Sequence, residues 1–158
     1  MPEYSSHELF FRLMSDLGHE LGRDDIATVE PSRFDPTVIE FEVESVAFLL
    51  VHAPDDRPDR LTLICRFGTL PGHERVTILE RLLQVNFLLA GSEIHLAMDP
   101  MNEEVVLISG HPLIGVTAHS LTNAMTMLSQ LAQRWRQDFM LDTTQLSTPV
   151  AAGLAQHV

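Results

Sequence analysis

Apolar residues recur along the chain at two spacings, and each change of spacing marks a new element. In SSHELFFRLMSDLGHELG, Leu9, Phe10, Leu13, Met14, Leu17 and Leu21 return at helical intervals. Ser5 or Ser6 can cap the start and Gly22 can stop the end, which predicts a helix over about Ser6 to Leu21. RDDIATVEPSRFDP then carries two prolines and scattered acids without a period, and reads as a connecting loop with at most a short extended piece. Three β-rich runs follow: TVIEFEV and RLTLICRF alternate apolar with polar, whereas VAFLLVH is almost wholly apolar and is expected to lie more centrally. APDDRPD separates the last two and leaves room for an antiparallel return. No strand-helix-strand rhythm appears here, so the expected arrangement is an antiparallel meander.

The segment FGTLPGHERVTILERLLQVN turns at Leu70-Pro71-Gly72 and continues as a second helix. EIHLAMDP and EEVVLISGHP then form a strand pair around Asp99-Pro100-Met101-Asn102. TAHSLTNAMTMLSQLAQRWRQDFM closes the body, with Leu121, Ala124, Met125, Leu128, Leu131, Ala132, Trp135 and Phe139 on one face. The predicted fold is α+β, in the order α-β-β-β-α-β-β-α, with three helices on a twisted antiparallel sheet. One domain over residues 1–140 and a flexible tail over 141–158 are expected.

The second helix is the unusual one. At about 100° per residue, Ile78, Leu79, Leu82, Leu83, Val85, Phe87 and Leu89, together with Val76, spread over roughly 200° of its circumference. A helix lying on one sheet needs a stripe somewhat above about 100°, so the surplus must meet another helix or another subunit. Asn86 falls inside this apolar arc. Its amide must bond backbone, water or a partner across an interface, because an unpaired buried amide costs about 1 to 3 kcal/mol.

Charge narrows the partners. The formal charge is −12, from 22 acids against 10 arginines with no lysine, which argues against a phosphate-binding surface for nucleic acid. The lone Cys65 provides no disulfide framework or CxxC motif and reads as a small core residue of a protein from a reducing cytoplasm. The N-terminus lacks the pattern of a cleaved signal, and no run approaches the roughly 20 apolar residues of a membrane span, so no membrane insertion is expected.

Catalytic patterns are missing from the sequence. His73-Glu74 would need a histidine one helical turn later to hold zinc, and Thr77 stands there. No GxSxG, Walker or GxGxxG motif occurs. No catalytic residue, metal site or cofactor is therefore assigned, and the one enzymatic alternative is a site assembled in space from His73, His95 or His111 with loop carboxylates.

Gly68, Leu70-Pro71, Arg75, Leu79, Leu82-Leu83 and Asn86, followed by Leu96, Asp99-Pro100, Val105 to Leu107, Pro112-Leu113 and Trp135-Arg136, resemble in order and spacing the CesT/Tir-type family of type III secretion chaperones. The resemblance spans roughly Glu8 to Phe139. It implies a bacterial cytoplasmic homodimer without ATP hydrolysis that binds the extended N-terminal segment of one or several secreted effectors. By the same resemblance, the subunit seam would involve Ile78, Leu79, Leu82, Leu83, Val85, Asn86 and Phe87. Effector contacts are expected at Phe11 and Met14 on the first helix and at outward apolar groups of the first strands such as Val38 and Phe48. The tail is left with three uses: covering a groove, contacting the secretion ATPase, or none. A regulatory protein of the same fold, sequestering a secretion-system regulator, is the competing reading.

Overall fold

A computed structural model describes residues 4–141 and Leu146. The chain runs α1 (Ser6–Leu21), α2 (Asp24–Ala27), β1 (Thr37–Val43), β2 (Val46–His52), β3 (Arg60–Thr69), α3 (Arg75–Leu88), β4 (Ile94–Met98), β5 (Glu104–Pro112) and α4 (Ala118–Asp138). The expected order of long helices and strands is present. The addition is α2, one turn inside the segment read as a loop.

Helix α1 starts where its sequence provides a reciprocal cap. The Ser5 hydroxyl accepts from the Glu8 amide, and the Glu8 carboxylate accepts from the Ser5 amide at 2.8 Å. It ends at Gly22, in the left-handed region. α2 packs back on α1 at Gly18, where any Cβ would run into the backbone of Ala27. Four residues are too few for a periodic signal; close packing makes this turn.

The five strands form one antiparallel sheet in the order β1-β2-β3-β5-β4. The central strand is β3, not the apolar β2 as expected, because the chain returns through α3 and places β5 beside β3 with β4 outside. The inward side chains of β2 are Val46, Phe48, Leu50 and His52; Ala47, Leu49 and Val51 turn outward and are half-buried. The inward set packs with Phe10, Leu13, Met14 and Leu17 of α1 and with Leu121, Met125, Leu128 and Trp135 of α4 in one core. Cys65 lies in that core, and burial pushes its thiol up to about 12.

β3 is bent between Arg66 and Gly68, where its register with β5 shifts. Gly68 has φ +129°, outside the range a side chain readily adopts. Arg136 of α4 closes this bulge by donating to the Phe67 carbonyl at 2.6 Å and the Arg66 carbonyl at 3.1 Å. Trp135 is buried beside Phe67 and Phe139. Gly68 and Trp135-Arg136, distant in sequence, are thus parts of one helix-to-sheet joint.

Leu146 is fully buried and belongs to the same core. The rest of the expected tail beyond Leu141 lies outside the described residues.

Candidate functional site: two apolar surfaces at opposite edges of the sheet

Helix α3 answers its own sequence puzzle by dividing its apolar arc. Ile78, Leu82, Val85 and Leu89 are buried in the subunit's core, and Leu79 packs partly against it. Leu83 is 68% exposed and Phe87 80%, and Val76 and Leu88 are exposed beside them. Of the seven residues expected at a subunit seam, Leu83 and Phe87 therefore project outward, whereas Ile78, Leu82 and Val85 face their own sheet. Val76 and Leu88 are outward positions the expected set omitted. A helical wheel carries Val76 in the apolar arc but places Leu88 on the polar side, and it gives no sign of which part of a wide arc meets the sheet.

Asn86 bonds its own chain. Its Nδ2 donates to the Leu96 carbonyl at 2.8 Å, and its Oδ1 accepts from the Leu96 amide at 2.7 Å. The side-chain amide thereby takes the place of a neighbouring strand on the outer edge of β4. A shallow pocket of about 140 Å³ lies alongside, lined by Leu79, Leu82, Leu83, Asn86, Leu96 and Met98 among others.

The second surface lies at the opposite sheet edge. The ring of Phe10 stacks on His52 at 4.3 Å, and His52 is paired with Thr37, so the N-terminal half of α1 sits over the beginning of β1. His7 Nε2 lies 2.8 Å from the Pro31 carbonyl and ties the following loop to the helix. Between helix and loop opens a groove of about 440 Å³ lined by Tyr4, His7, Glu8, Phe11, Arg12 and Arg33. The hydrogen bonds of Ser5, first from its backbone and then from its hydroxyl, hold the Glu8 carboxyl below its ordinary value.

Of the residues expected to meet an effector, Phe11 is 44% exposed in this groove and Val38 is 58% exposed on β1. Met14 and Phe48 are corrected: both are fully buried. Met14 sits in the core shared by α1, the sheet and α4 rather than on the rim of its stripe. Phe48 has the wrong parity, since strand side chains alternate and Phe48 shares the inward face with Val46 and Leu50. Tyr4 and Phe34, outside any periodic stripe in the sequence, are further exposed aromatics at this end.

Among the described residues, the histidines stand apart from one another in the fold. Among the described residues, no group of three or more His, Cys, Asp or Glu side chains could hold a metal ion. His52 and the Ser109–His111 pair, 2.9 Å apart, lie in the core. No helix of the described residues is long and apolar enough to cross a membrane.

A sheet backed by helices, with exposed apolar bands at its two edges, has the architecture of a protein-binding module. More particularly, the chain matches the Tir chaperone protein (CesT) family over residues 12–136 and belongs to that family of type III secretion chaperones. Its fold recurs in solved structures of low identity. A chain of the ExsC-ExsE complex is 16% identical, with a TM-score of 0.65 over 86% of this chain and 97% of that one. A chain of the HopA1-SchA chaperone-effector complex is 18% identical, with a TM-score of 0.59 over 86% and 99%. A chain of the heterodimeric ExoU-SpcU complex from the type III secretion system of Pseudomonas aeruginosa is 16% identical, with a TM-score of 0.52 over 77% and 93%. No curated protein sequence matches the chain significantly.

Proposed function

We propose that the chain is a non-enzymatic, homodimeric type III secretion chaperone of the bacterial cytoplasm. It holds the extended N-terminal segment of one or several effectors and keeps them competent for export. The observation that carries this reading is the pair of separate exposed apolar bands. One, on α3, has the helical spacing of a subunit seam: Val76, Leu83 and Phe87. The other, Tyr4 and Phe11 at the groove with Phe34 on the loop before β1, lies at the open edge of β1, where Val38 is exposed on the sheet's outer face, and suits an extended ligand. The solved chaperone-effector complex of similar fold gives the same kind of partner to a relative of this architecture.

The test has two arms. Light scattering should give twice the 17.7 kDa subunit mass. Co-expressed with an effector of its own bacterium, the chain should co-purify and shield the effector's N-terminal segment from protease. A monomer that shields nothing would sink the reading, and capture of a transcriptional regulator in place of secreted proteins would favour the regulatory alternative.

A further inference from the structure

The groove at the N-terminal half of α1 carries a charge the rest of the protein does not lead one to expect. The chain is acidic by 12 charges; of its ten arginines Arg23, Arg60, Arg66 and Arg75 each lie within 4.0 Å of a carboxylate, and of those that do not, Arg12 and Arg33 are the two that line one groove together. Arg12 and Arg33, on the two sides of the groove, make no such ion pair among the described residues. The guanidinium of Arg12 stands 4.7 Å from the centre of the Tyr4 ring, which fixes it over the aromatic wall. Arg33 comes from the loop that His7 ties to the helix. Among the described residues, the carboxylate lining the groove is Glu8, whose Oε2 accepts from the Ser5 amide and hydroxyl at 2.8 and 3.0 Å and which feels the charge of Arg33 without forming an ion pair with it.

We propose that this groove selects an acidic, apolar segment of a client polypeptide, a large apolar side chain entering between Tyr4 and Phe11 while a neighbouring carboxylate meets Arg12 and Arg33. The inference rests on the client-binding reading above and adds the chemistry of the client. Apolar contact alone would accept many sequences. Two guanidinium groups without ion-pair partners gain most from a carboxylate, because charge-assisted, bidentate hydrogen bonds are the strong ones. The net acidic charge disfavours an acidic partner over the surface as a whole, so two arginines brought together in one apolar groove help fix where along the chaperone such a segment docks.

Three fluorescent peptides test this against the full-length chain. They share one pattern of Leu and Phe and differ only in the residues flanking those two: Glu, Gln or Lys. By anisotropy the Glu peptide should bind about tenfold more tightly than the Gln peptide, with the Lys peptide weakest. Arg12→Glu with Arg33→Glu should invert that order. Both arginines are at the surface, and a circular dichroism melt checks that the variant stays folded. Equal affinity for the three peptides, or an order that survives the charge reversal, overturns the inference. If Phe11→Asp then releases all three alike, the client-binding reading stands with a groove that recognises apolar residues only. Failure of wild type to bind any of the peptides overturns the inference and removes this groove from the client surface, while dimer mass and effector protection still test the chaperone reading. A change of oligomer mass in the reversed variant would make a second copy the occupant, and that too overturns it.

Discussion

At the β4 edge of the sheet, Asn86 reaches from α3 and satisfies both the amide and the carbonyl of Leu96. At the β1 edge, the tight turn at Glu44 and Ser45, both at positive φ, makes Val43 and Val46 a hydrogen-bonded pair. By alternation Val38, Glu40 and Glu42 turn their N–H and C=O groups away from β2, and among the described residues nothing accepts or donates there. Only the turn end of the strand is held from outside, where Ser129 donates to the Val43 carbonyl at 3.0 Å and Gln133 donates to that of Glu44. One edge is finished by the protein's own side chain. The other is open to a strand supplied from elsewhere, and its exposed Glu40 and Glu42 blunt it against indiscriminate edge-to-edge pairing.

The largest expected effect comes from the helix that closes the β4 edge, because its outward face is the proposed seam. Leu83→Asp should turn the dimer into a soluble monomer, weakening association by at least about 100-fold, since a carboxylate would have to be buried twice across a two-fold axis. With Leu83 68% exposed, the subunit should still fold. Light scattering across a dilution series, with circular dichroism as the control, decides it. An unfolded variant would mean that α3 divides its arc differently, and an unchanged dimer would place the seam elsewhere.

Next in size is the direct contrast of the edges. Asn86→Leu removes two hydrogen bonds and strands the Leu96 backbone against an apolar neighbour, for a loss of about 2 to 3 kcal/mol in a urea titration. Glu40→Ala, on the exposed edge, should change stability by less than about 0.5 kcal/mol. Equal effects would contradict the difference between the edges. Hydrogen exchange gives the same contrast without mutation: the Leu96 amide should be protected and the Glu40 and Glu42 amides should exchange freely. A bound client strand should slow exchange at Glu40 and Glu42 and leave Leu96 as it was.

These edges also show what the amino-acid sequence could and could not convey. α1 was legible to the residue, because Ser5, Glu8 and Gly22 are local signals that the helix obeys. The strands were legible through alternation and turn residues. The face of Phe48 was not, since VAFLLVH is apolar on both sides and only pairing with β3 and the helices above decides which side is inside. Met14 was misplaced for a related reason: the edge of an apolar stripe is exposed or covered according to how α4 lies, which no local period contains. Asn86 could be recognised as a residue needing a partner. That the partner is the backbone of a strand ten residues later follows only from the packing of α3 on the sheet.

The smallest effect expected is in acid, and it separates the two sides by the order in which they loosen. Glu8 caps α1 beside the β1 edge, and its carboxyl is held below its ordinary 4.5 by the Ser5 hydrogen bonds. Asp99 follows β4; the Met101 amide, and after it Arg66, hold its carboxyl below its ordinary 3.8. Both values are depressed by folding, so each group's stabilisation is present in full above its unfolded value and is lost as pH falls through the folded one. Glu8 therefore begins to lose its contribution near pH 4.5, before Asp99 does near pH 3.8. Urea midpoints measured from pH 6 downward should decline first in a step that Glu8→Gln flattens, and then in one that Asp99→Asn flattens. Were both variants to keep the wild-type slope, neither carboxylate would be anchoring its side of the sheet. A flattened first step with α1 amides exchanging early would show that the groove end gives way while Asn86 still seals β4, as expected of the side left open for a ligand.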